Sequence, residues 1–134
     1  MNEFELGQIL KRHQQWLVDE DDGVQAQLQE QTLSGVRLPG ANMRKADLRE
    51  ADLSDADLSG ADLSEANLVS ANLRGASLRG ANLRDADLSE ADLRGANMLG
   101  AELMGVEVSR ANLKGCAIAP EVLHMILGCQ TETL

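Results

Sequence analysis

The chain has 134 residues, enough for one compact domain and too few for two of ordinary size. Apolar residues make up 43% but aromatic residues only 1%, which argues against a conventional core or an aromatic-anchored binding surface. The net charge of −10 argues against direct binding of nucleic acids, which requires basic surface.

No segment of the sequence is typical of a membrane or exported protein. There is no run of about 18 apolar residues and no basic start followed by an apolar stretch, so we expect neither a membrane span nor a signal peptide. Two cysteines, Cys116 and Cys129, are too few for a disulfide framework, which favours a cytoplasmic protein with free thiols.

Residues 1–24 predict an N-terminal capping helix followed by an acidic loop. Asn2 and Glu5 have the spacing of a capping box, and one face of a helix over 3–18 is apolar. We expect this face to close the end of the domain that follows; a partner-binding helix is the alternative. The face holds Leu6, Ile9, Leu10, His13, Trp16 and Leu17, of which His13 and Trp16 are the predicted packing residues.

The acidic run from Asp19 to Asp22 invites comparison with a calcium loop. An EF-hand register with Gly23 at the invariant glycine would put Val18 at the first ligand and Gln29 at the bidentate position. Neither side chain is a carboxylate, so we expect a solvated loop.

A five-residue repeat begins at Ala41 and continues for fifteen uninterrupted units. The first position is Ala in fourteen units, and the third is Leu in twelve. In degraded form the pattern extends back to Leu28 and forward to Ile118, which gives nineteen units and a repeat domain over 25–119.

A period of five fits neither an α-helix nor a flat strand. Successive leucines would be displaced by about 140° on a helix and would alternate faces along a strand. The apolar–polar–apolar start of each unit suits a short stretch of strand, and the Gly, Ser, Asp and Arg that follow suit a turn. Repeated corners build a coil whose turns pair as parallel β-structure, so we predict an all-β solenoid with rungs about 4.8 Å apart.

Charge at the second position of the repeat indicates four units per coil. Four neutral residues follow an acidic band, and most of the next four are acids again. Four units per coil would place a neutral rung between acidic rungs, whereas three would stack like charges directly. The acidic band consists of Asp47, Asp52, Asp57 and Asp62.

Tandem units of the form A(D/N)LXX resemble the pentapeptide-repeat family, and the resemblance covers most of the chain. It implies a right-handed quadrilateral parallel β-helix of just under five coils, with short α-helical caps at both ends in our reading. Four ladders of aliphatic side chains should then fill the interior. They are Leu28, Leu48, Leu68, Leu88 and Val108; Leu33, Leu53, Leu73, Leu93 and Leu113; Leu38, Leu58, Leu78, Met98 and Ile118; and Met43, Leu63, Leu83 and Leu103.

Residues 120–134 predict a short helix and a frayed tail. Pro120 suits the first turn of the helix, and Gly128 suits its end. The helix either caps the last coil or joins two copies into a homodimer. The apolar residues for that contact are Leu123, Ile126 and Leu127.

Signatures of enzymes are absent from the sequence. The two histidines, His13 and His124, are over 100 residues apart, and Cys116 occupies an inward position of the repeat. There is no zinc spacing, phosphate loop or nucleophile motif. We therefore expect no catalytic residue, no metal and no cofactor.

Surface charge is the feature that points to function. Residues 47–65 carry a net charge of −6, residues 66–84 carry +3, and residues 85–107 carry −5. Neighbouring Asp52 and Asp92 could simply neutralise the bases. The candidate partner-binding residues are Arg74, Arg79 and Arg84 in the positive band, with Arg94 and Lys114 following Arg74 at intervals of 20 residues.

Two functions are consistent with these observations. The first is a non-enzymatic interaction module, a rigid rod that presents charged faces to a protein partner. The second is implied by the resemblance, because some family members protect DNA gyrase from quinolones as acidic, dimeric rods that resemble duplex DNA. Against this alternative, the repeat body over 26–119 is short and has a net charge of only −4.

Overall fold

The computed structural model describes residues 1–127 of the chain. It contains two α-helices, α1 over Glu3–Val18 and α2 over Pro120–Leu127. Between them the backbone forms single-residue parallel β-bridges rather than longer strands. The predicted helix end at Gly128, the tail after it and the second thiol, Cys129, lie outside the described residues.

The β-bridges fix the register of the coil. Fifteen parallel bridges each join a residue to the one twenty positions later, from Gln27 with Asp47 to Asn97 with Ala117. Because twenty residues hold four pentapeptides, each coil has four sides, and the four-unit coil predicted from the sequence is confirmed. Successive coils stack along one axis, with rungs about 4.8 Å apart.

We number the four sides in the order in which the chain follows them, and we define each by the third-position residues that stack inside it. The four ladders are those predicted from the sequence. Side 1 contains Leu28, Leu48, Leu68, Leu88 and Val108; side 2 contains Leu33, Leu53, Leu73, Leu93 and Leu113; side 3 contains Leu38, Leu58, Leu78, Met98 and Ile118; side 4 contains Met43, Leu63, Leu83 and Leu103.

Each corner of the coil is a β-turn closed by a backbone hydrogen bond. The N–H of the first position donates to the third-position carbonyl of the preceding unit, as Ala51 N does to Leu48 O at 3.1 Å. The fifth position lies within the turn and has positive φ in every unit from Glu30 to Gly115. Nine of these eighteen residues are not glycine and have φ of 57–61°. Stacking of the coils therefore sets the corner even where a side chain makes it costly, by about 1–2 kcal/mol per residue.

First- and third-position side chains fill the interior. From Ala46 to Leu93 these alanines and leucines are at most 1% exposed. Burial falls in the last coil, where Val106, Val108 and Leu113 are only partly buried. Since a fully buried leucine contributes about 1.5–3 kcal/mol relative to an exposed one, the middle coils provide most of the hydrophobic stabilisation.

Helix α1 packs against the first coil. Its predicted capping box is present, with Glu5 N donating to Asn2 Oδ1 at 2.8 Å and Asn2 N donating to Glu5 Oε2 at 3.1 Å. Leu6 is 3% exposed and belongs to the core. It also lines a small cavity with Leu33 and Val36, so the start of α1 lies near sides 2 and 3.

Gly23 brings the chain back from the exposed acidic turn to the first coil. Its φ is +90°, and a Cβ at this position would meet the carbonyl oxygen of Arg12 and lie 2.6 Å from Trp16 N. Next to it, Val24 N donates to Arg12 O at 3.2 Å. Only glycine therefore allows the chain to pass this close to α1.

Helix α2 begins at Pro120 and follows the last unit of side 3. Val122 and Ile126 pack against the core, whereas Met125 and Leu127 are 57% and 50% exposed. Within residues 1–127, no helix has the length and hydropathy needed to cross a membrane.

Candidate partner-binding surface

Asp and Asn side chains at the second position bond to their own turns. Asp52 Oδ1 accepts the N–H of Ser54 at 3.0 Å, and Asn97 Oδ1 accepts that of Leu99 at 3.1 Å. Each Asp or Asn at this position makes the same bond, whereas other residue types there do not. The twelve are Asn42, Asp47, Asp52, Asp57, Asp62, Asn67, Asn72, Asn82, Asp87, Asp92, Asn97 and Asn112.

This bond satisfies the one N–H of a unit that has no backbone partner. In residues 46–50, the first N–H closes the preceding corner, the second bonds to the coil before, and the third and fifth bond to the coil after. The fourth, Arg49 N, donates to Asp47 Oδ1 at 3.2 Å. Asp and Asn suit this role because their short side chains reach the N–H two residues on, which the longer Glu does not do here.

The predicted acidic band is a ring around the rod and not a patch. Its carboxylates are also engaged within their own turns. Ser54 Oγ donates to Asp52 and Ser59 Oγ donates to Asp57, each at 2.6 Å. These hydroxyls, with the backbone N–H groups, hold the pKa of both carboxyls below the ordinary value. The band occupies sides 1, 2, 3 and 4 of one coil, in the order Asp47, Asp52, Asp57 and Asp62.

The predicted positive band has the same ring arrangement. Arg74, Arg79 and Arg84 follow one another around the next coil, on sides 2, 3 and 4. These three arginines therefore face three different directions around the rod, and their role in binding a partner stays a prediction. The charge bands are successive coils along the axis, because each band is about one coil long.

Three of the five candidate cations form a column along side 2. Arg74, Arg94 and Lys114 occupy the fourth position on three consecutive rungs and are exposed. Gly75 N donates to Arg94 O at 3.0 Å, and Gly95 N donates to Lys114 O at 3.1 Å, which fixes the stacking directly. We call Arg74, Arg94 and Lys114 the basic column.

Carboxylates neutralise only part of the basic column. Arg94 forms a bidentate pair with Asp92, with Nε–Oδ1 at 2.8 Å and Nη2–Oδ2 at 2.6 Å, and this pair lowers the pKa of Asp92. Within residues 1–127, neither Arg74 nor Lys114 has a carboxylate within 4.0 Å. Asp52, the other expected neutralising group, bonds to its own turn instead. The last three units of side 2 thus carry three cations and one carboxylate, a net charge of +2.

Glycine occupies the corner beside the basic column. Gly75, Gly95 and Gly115 hold the fifth position on the same three rungs, so none of these three residues carries a side chain. A Cβ at Gly75 would meet a carboxylate oxygen of Asp55, which lies over that glycine from the rung before. The result is an open groove on side 2 that runs from Asp55 to Arg94 and does not include Lys114. Its lining comprises Ser54, Asp55, Asn72, Arg74, Gly75 and Arg94.

Side 1 has the opposite charge. Its outward residues from the second, fourth and fifth positions include six acids and two arginines, a net charge of −4. Side 1 therefore accounts for as much negative charge as the whole repeat body. The charged residues are Glu30, Asp47, Arg49, Glu50, Asp87, Glu90, Glu107 and Arg110.

The two residues predicted to pack at the N-terminal end lie together. The rings of His13 and Trp16 stack with centroids 5.6 Å apart, and His13 is fully buried. Ala26 N donates to His13 Nδ1 at 2.9 Å, and His13 Nε2 lies 2.7 Å from Arg44 O. Burial lowers the pKa of His13, partly offset by the bond to Arg44 O. These contacts hold α1 against the first coil.

The residues predicted for a homodimer have different environments. Ile126 packs against the chain's own core, Leu123 is half-buried, and Leu127 is exposed. At the same end of the rod, Cys116 is half-buried, and burial raises the pKa of its thiol. A raised pKa disfavours the thiolate, which is the nucleophilic form.

The sequence did not identify the glycine corner as part of the surface. Its signal was present, because glycines recur at intervals of twenty residues from Gly75 to Gly115, in step with the cations. The role of the Asp and Asn side chains was also missed. Asp or Asn stands at twelve of the fifteen second positions of the uninterrupted repeat and Glu at only two, which is the signal for it.

Comparison with known proteins gives one family. Pentapeptide repeats, in eight copies, match residues 24–60, 46–85 and 81–116, which is more than half of the chain. None of the curated proteins compared with the chain matches it.

Solved structures are similar over most of the chain. The pentapeptide repeat protein alr5209 from Nostoc PCC 7120 is 35% identical over 69% of this chain and 80% of its own, with a TM-score of 0.62. Rfr23 from the cyanobacterium Cyanothece 51142 is 35% identical over 66% of this chain and 64% of its own, with a TM-score of 0.46. QnrB1, a plasmid-mediated fluoroquinolone resistance protein, is 15% identical over 72% of this chain and 84% of its own, with a TM-score of 0.34.

Proposed function

This chain belongs to the pentapeptide-repeat family, whose members fold as a right-handed quadrilateral β-helix, and on that premise we propose that it is a non-enzymatic interaction module. The rod presents the basic column on side 2 to a protein partner. The observation that supports this most is the stacking of Arg74, Arg94 and Lys114 on consecutive rungs. Within residues 1–127, only one of the three, Arg94, is paired with a carboxylate.

Electrostatic cost is the reason to assign a role to this column. Like charges directly opposite one another on neighbouring strands are destabilising. Within residues 1–127, no other column holds three like charges in succession, since acidic columns are interrupted after at most two rungs. The chain itself does not supply the missing carboxylates, and a partner that did so would gain charge-assisted contacts at an exposed and accessible site.

Affinity capture with charge-reversed variants tests the proposal. The full chain, tagged and immobilised, is incubated with lysate of the source cell, and captured proteins are quantified for the wild type, Arg74→Glu and Arg79→Glu. Arg79 is exposed in the same coil but lies on side 3, which makes it the matched variant. We expect a captured protein that Arg74→Glu loses and Arg79→Glu retains. Equal capture by all three proteins would remove side 2 from consideration.

Side 1 supports a second candidate function, binding of DNA gyrase by imitation of the charge of DNA. Six carboxylates on one side give a negative surface with a net charge of −4. A supercoiling assay at micromolar protein tests this candidate. Inhibition that Glu50→Lys and Glu90→Lys relieve would support it, and an unchanged rate of supercoiling would dispose of it.

Homodimer formation remains a separate proposal for the C-terminal end. Met125 and Leu127 leave apolar surface on α2 for a second copy, while Val122 and Ile126 face the chain's own core. Light scattering on the wild type and Leu127→Asp tests it: a dimeric mass that falls to the monomer in the variant supports the contact, and a monomeric wild type excludes it. The cytoplasmic location remains a prediction from the free thiols.

A further inference from the structure

We propose that the basic column binds an extended acidic segment of a partner polypeptide, lying along the rod axis beside the glycine corner. This inference rests on the proposed function and specifies the chemistry of the partner. Four features of side 2 support it: the spacing of the cations, their free donors, the bare corner and the carboxylate at one end of the groove.

Spacing favours an extended chain parallel to the axis. Arg74 and Lys114 are separated by two rungs, which is about 9.6 Å at about 4.8 Å per rung. An extended strand rises about 3.3 Å per residue, so about three residues of a bound segment span the column. Carboxylates at alternate residues point to the same side of such a strand, about 6.6 Å apart, so two of them fit within that span. Two acidic residues at alternate positions therefore fit within the length of the column, and the long Arg and Lys side chains can reach them.

The donors of the column are available and partly ordered. Arg74 and Lys114 have no carboxylate within 4.0 Å among the described residues, so their donors face solvent. Arg94 uses Nε and Nη2 for Asp92 and keeps its remaining N–H groups for a second acceptor. Because Asp92 already fixes the orientation of Arg94, less conformational entropy is lost when this side chain binds.

The corner beside the column allows close approach of a backbone. Asp55 lies over Gly75, but at Gly95 and Gly115 the corner lacks side chains that would hold a bound strand away from the rod. A Cβ added at Gly115 would lie 3.7 Å from Gly95 N on the rung before, which is an ordinary contact distance. A strand lying there would place its acidic side chains against the cations.

Asp55 determines where the segment ends. Its carboxylate lies over Gly75 at the N-terminal end of the groove. An acidic segment that extended past Arg74 in that direction would meet a like charge. The bound carboxylates therefore lie between Arg74 and Lys114, toward the C-terminal end of the rod.

Side 2 favours a polypeptide over a single-stranded nucleic acid. Grooves for single strands combine cations with aromatic rings on which the bases stack. The two aromatic residues of this chain, Phe4 and Trp16, both lie in α1 and not on side 2. A net charge of −10 adds a general repulsion toward a continuous phosphate backbone.

Fluorescence anisotropy with a defined peptide tests the inference. The probe is a fluorescein-labelled twelve-residue peptide of alternating Glu and Thr, titrated with the full chain at low and at physiological salt. The control peptide has Gln in place of each Glu. We expect the Glu peptide alone to bind, more weakly at the higher salt, and we expect Arg74→Glu and Lys114→Glu each to weaken binding about tenfold.

Arg110→Glu is the matched variant, because Arg110 is an exposed arginine on side 1 and its reversal changes the net charge by the same amount. Circular dichroism and thermal melting establish that all variants remain folded. Equal binding of the Glu peptide by the wild type, Arg74→Glu and Arg110→Glu would overturn the inference. So would tighter binding of a twelve-residue oligothymidylate than of the Glu peptide.

The peptide titration and the capture from lysate test different claims. If the Glu peptide does not bind while capture from lysate still depends on Arg74, the acidic segment is wrong and the interaction module stands. If the peptide binds through the column and lysate capture does not depend on Arg74, the inferred chemistry holds and the physiological use of side 2 is wrong.

Discussion

His13 Nε2 lies 2.7 Å from the carbonyl oxygen of Arg44, and this contact replaces a backbone bond of the β-helix. From the second coil onward a fourth-position carbonyl accepts from a fifth-position N–H of the coil before, as Arg49 O does from Glu30 N at 2.9 Å. Arg44 lies in the first coil and has no coil before it. On its other side the ring accepts the N–H of Ala26, which places the imidazole proton on Nε2.

Stability should therefore fall as His13 becomes protonated. Burial holds its folded pKa below the ordinary value of about 6.5, so the unfolded chain binds a proton at higher pH than the folded chain does. The stabilising contribution is complete above about pH 6.5 and is lost as the pH falls through the folded pKa. Urea denaturation between pH 7.5 and pH 5 should show this decline in the wild type.

His13→Gln should lose the pH dependence and also be less stable at pH 7.5. Each backbone group left buried without a partner costs about 1–3 kcal/mol. His124→Gln is the control, since His124 lies in α2 at the other end. If His13→Gln retained the wild-type decline below pH 6.5, another group would be responsible.

The second position should require a side chain as short as Asn or Asp and should not require a charge, and replacement of Asn97 tests this. Asn97 Oδ1 accepts the N–H of Leu99, and its stacked neighbours, Ser77 and Ala117, are uncharged. We expect Asn97→Asp to keep the stability of the wild type and Asn97→Gln to lose about 0.5–1.5 kcal/mol, the net value of one hydrogen bond. Thermal unfolding measures both, and equal losses in the two variants would contradict the assignment.

Gly23→Ala should be more destabilising than Gly80→Ala. Both glycines have positive φ, so an alanine at either costs about 1–2 kcal/mol in backbone strain. A Cβ at Gly80 has open space, whereas one at Gly23 would meet backbone atoms of Arg12 and Trp16. We expect Gly23→Ala to displace α1 and to expose it to limited proteolysis. Similar stability and similar cleavage of the two variants would show that the clash is relieved cheaply.

Replacing a leucine of the side 2 ladder by alanine should cost more stability in the middle of the rod than at its C-terminal end. Leu73 and Leu113 stack on side 2, but Leu73 is 0% exposed and Leu113 is partly buried. Leu73→Ala should cost about 2–5 kcal/mol in the free energy of unfolding, as large-to-small substitutions in a packed core do. Leu113→Ala should cost clearly less, because fewer contacts are lost at the open end. Equal losses in urea denaturation would show that the last coil is as tightly packed as the middle.

Periodicity made most of the repeat domain predictable. A fixed spacing of five residues with Leu at the third position admits one arrangement that keeps every leucine inside, and the charge pattern at the second position gives its period. For this reason the ladder from Leu33 to Leu113 could be written down from the sequence. The same arithmetic predicts that Arg74, Arg94 and Lys114 share a column.

The ends of the rod were less predictable, because no repeat constrains them. The sequence indicated a helix with His13 on its apolar face, but not that both ring nitrogens would bond to the first coil. Gly23 was interpreted as part of a solvated loop. Its close contact with Arg12 depends on where α1 lies against residues far along the coil, which local patterns do not encode.

The sequence by itself determined the period of the coil, the residues that face inward and the column to which each charge belongs, because these follow from repetition and from the exclusion of aliphatic side chains from water. Only the tertiary structure decided which charges are paired. Arg94 pairs with Asp92 of its own unit, whereas within residues 1–127 Arg74 and Lys114 have no carboxylate within 4.0 Å, because their own units carry Asn at that position and Asp52, on the rung before Arg74, bonds to its own turn. That difference, and not the total charge of the positive band, is the reason we propose side 2 as the surface for a partner.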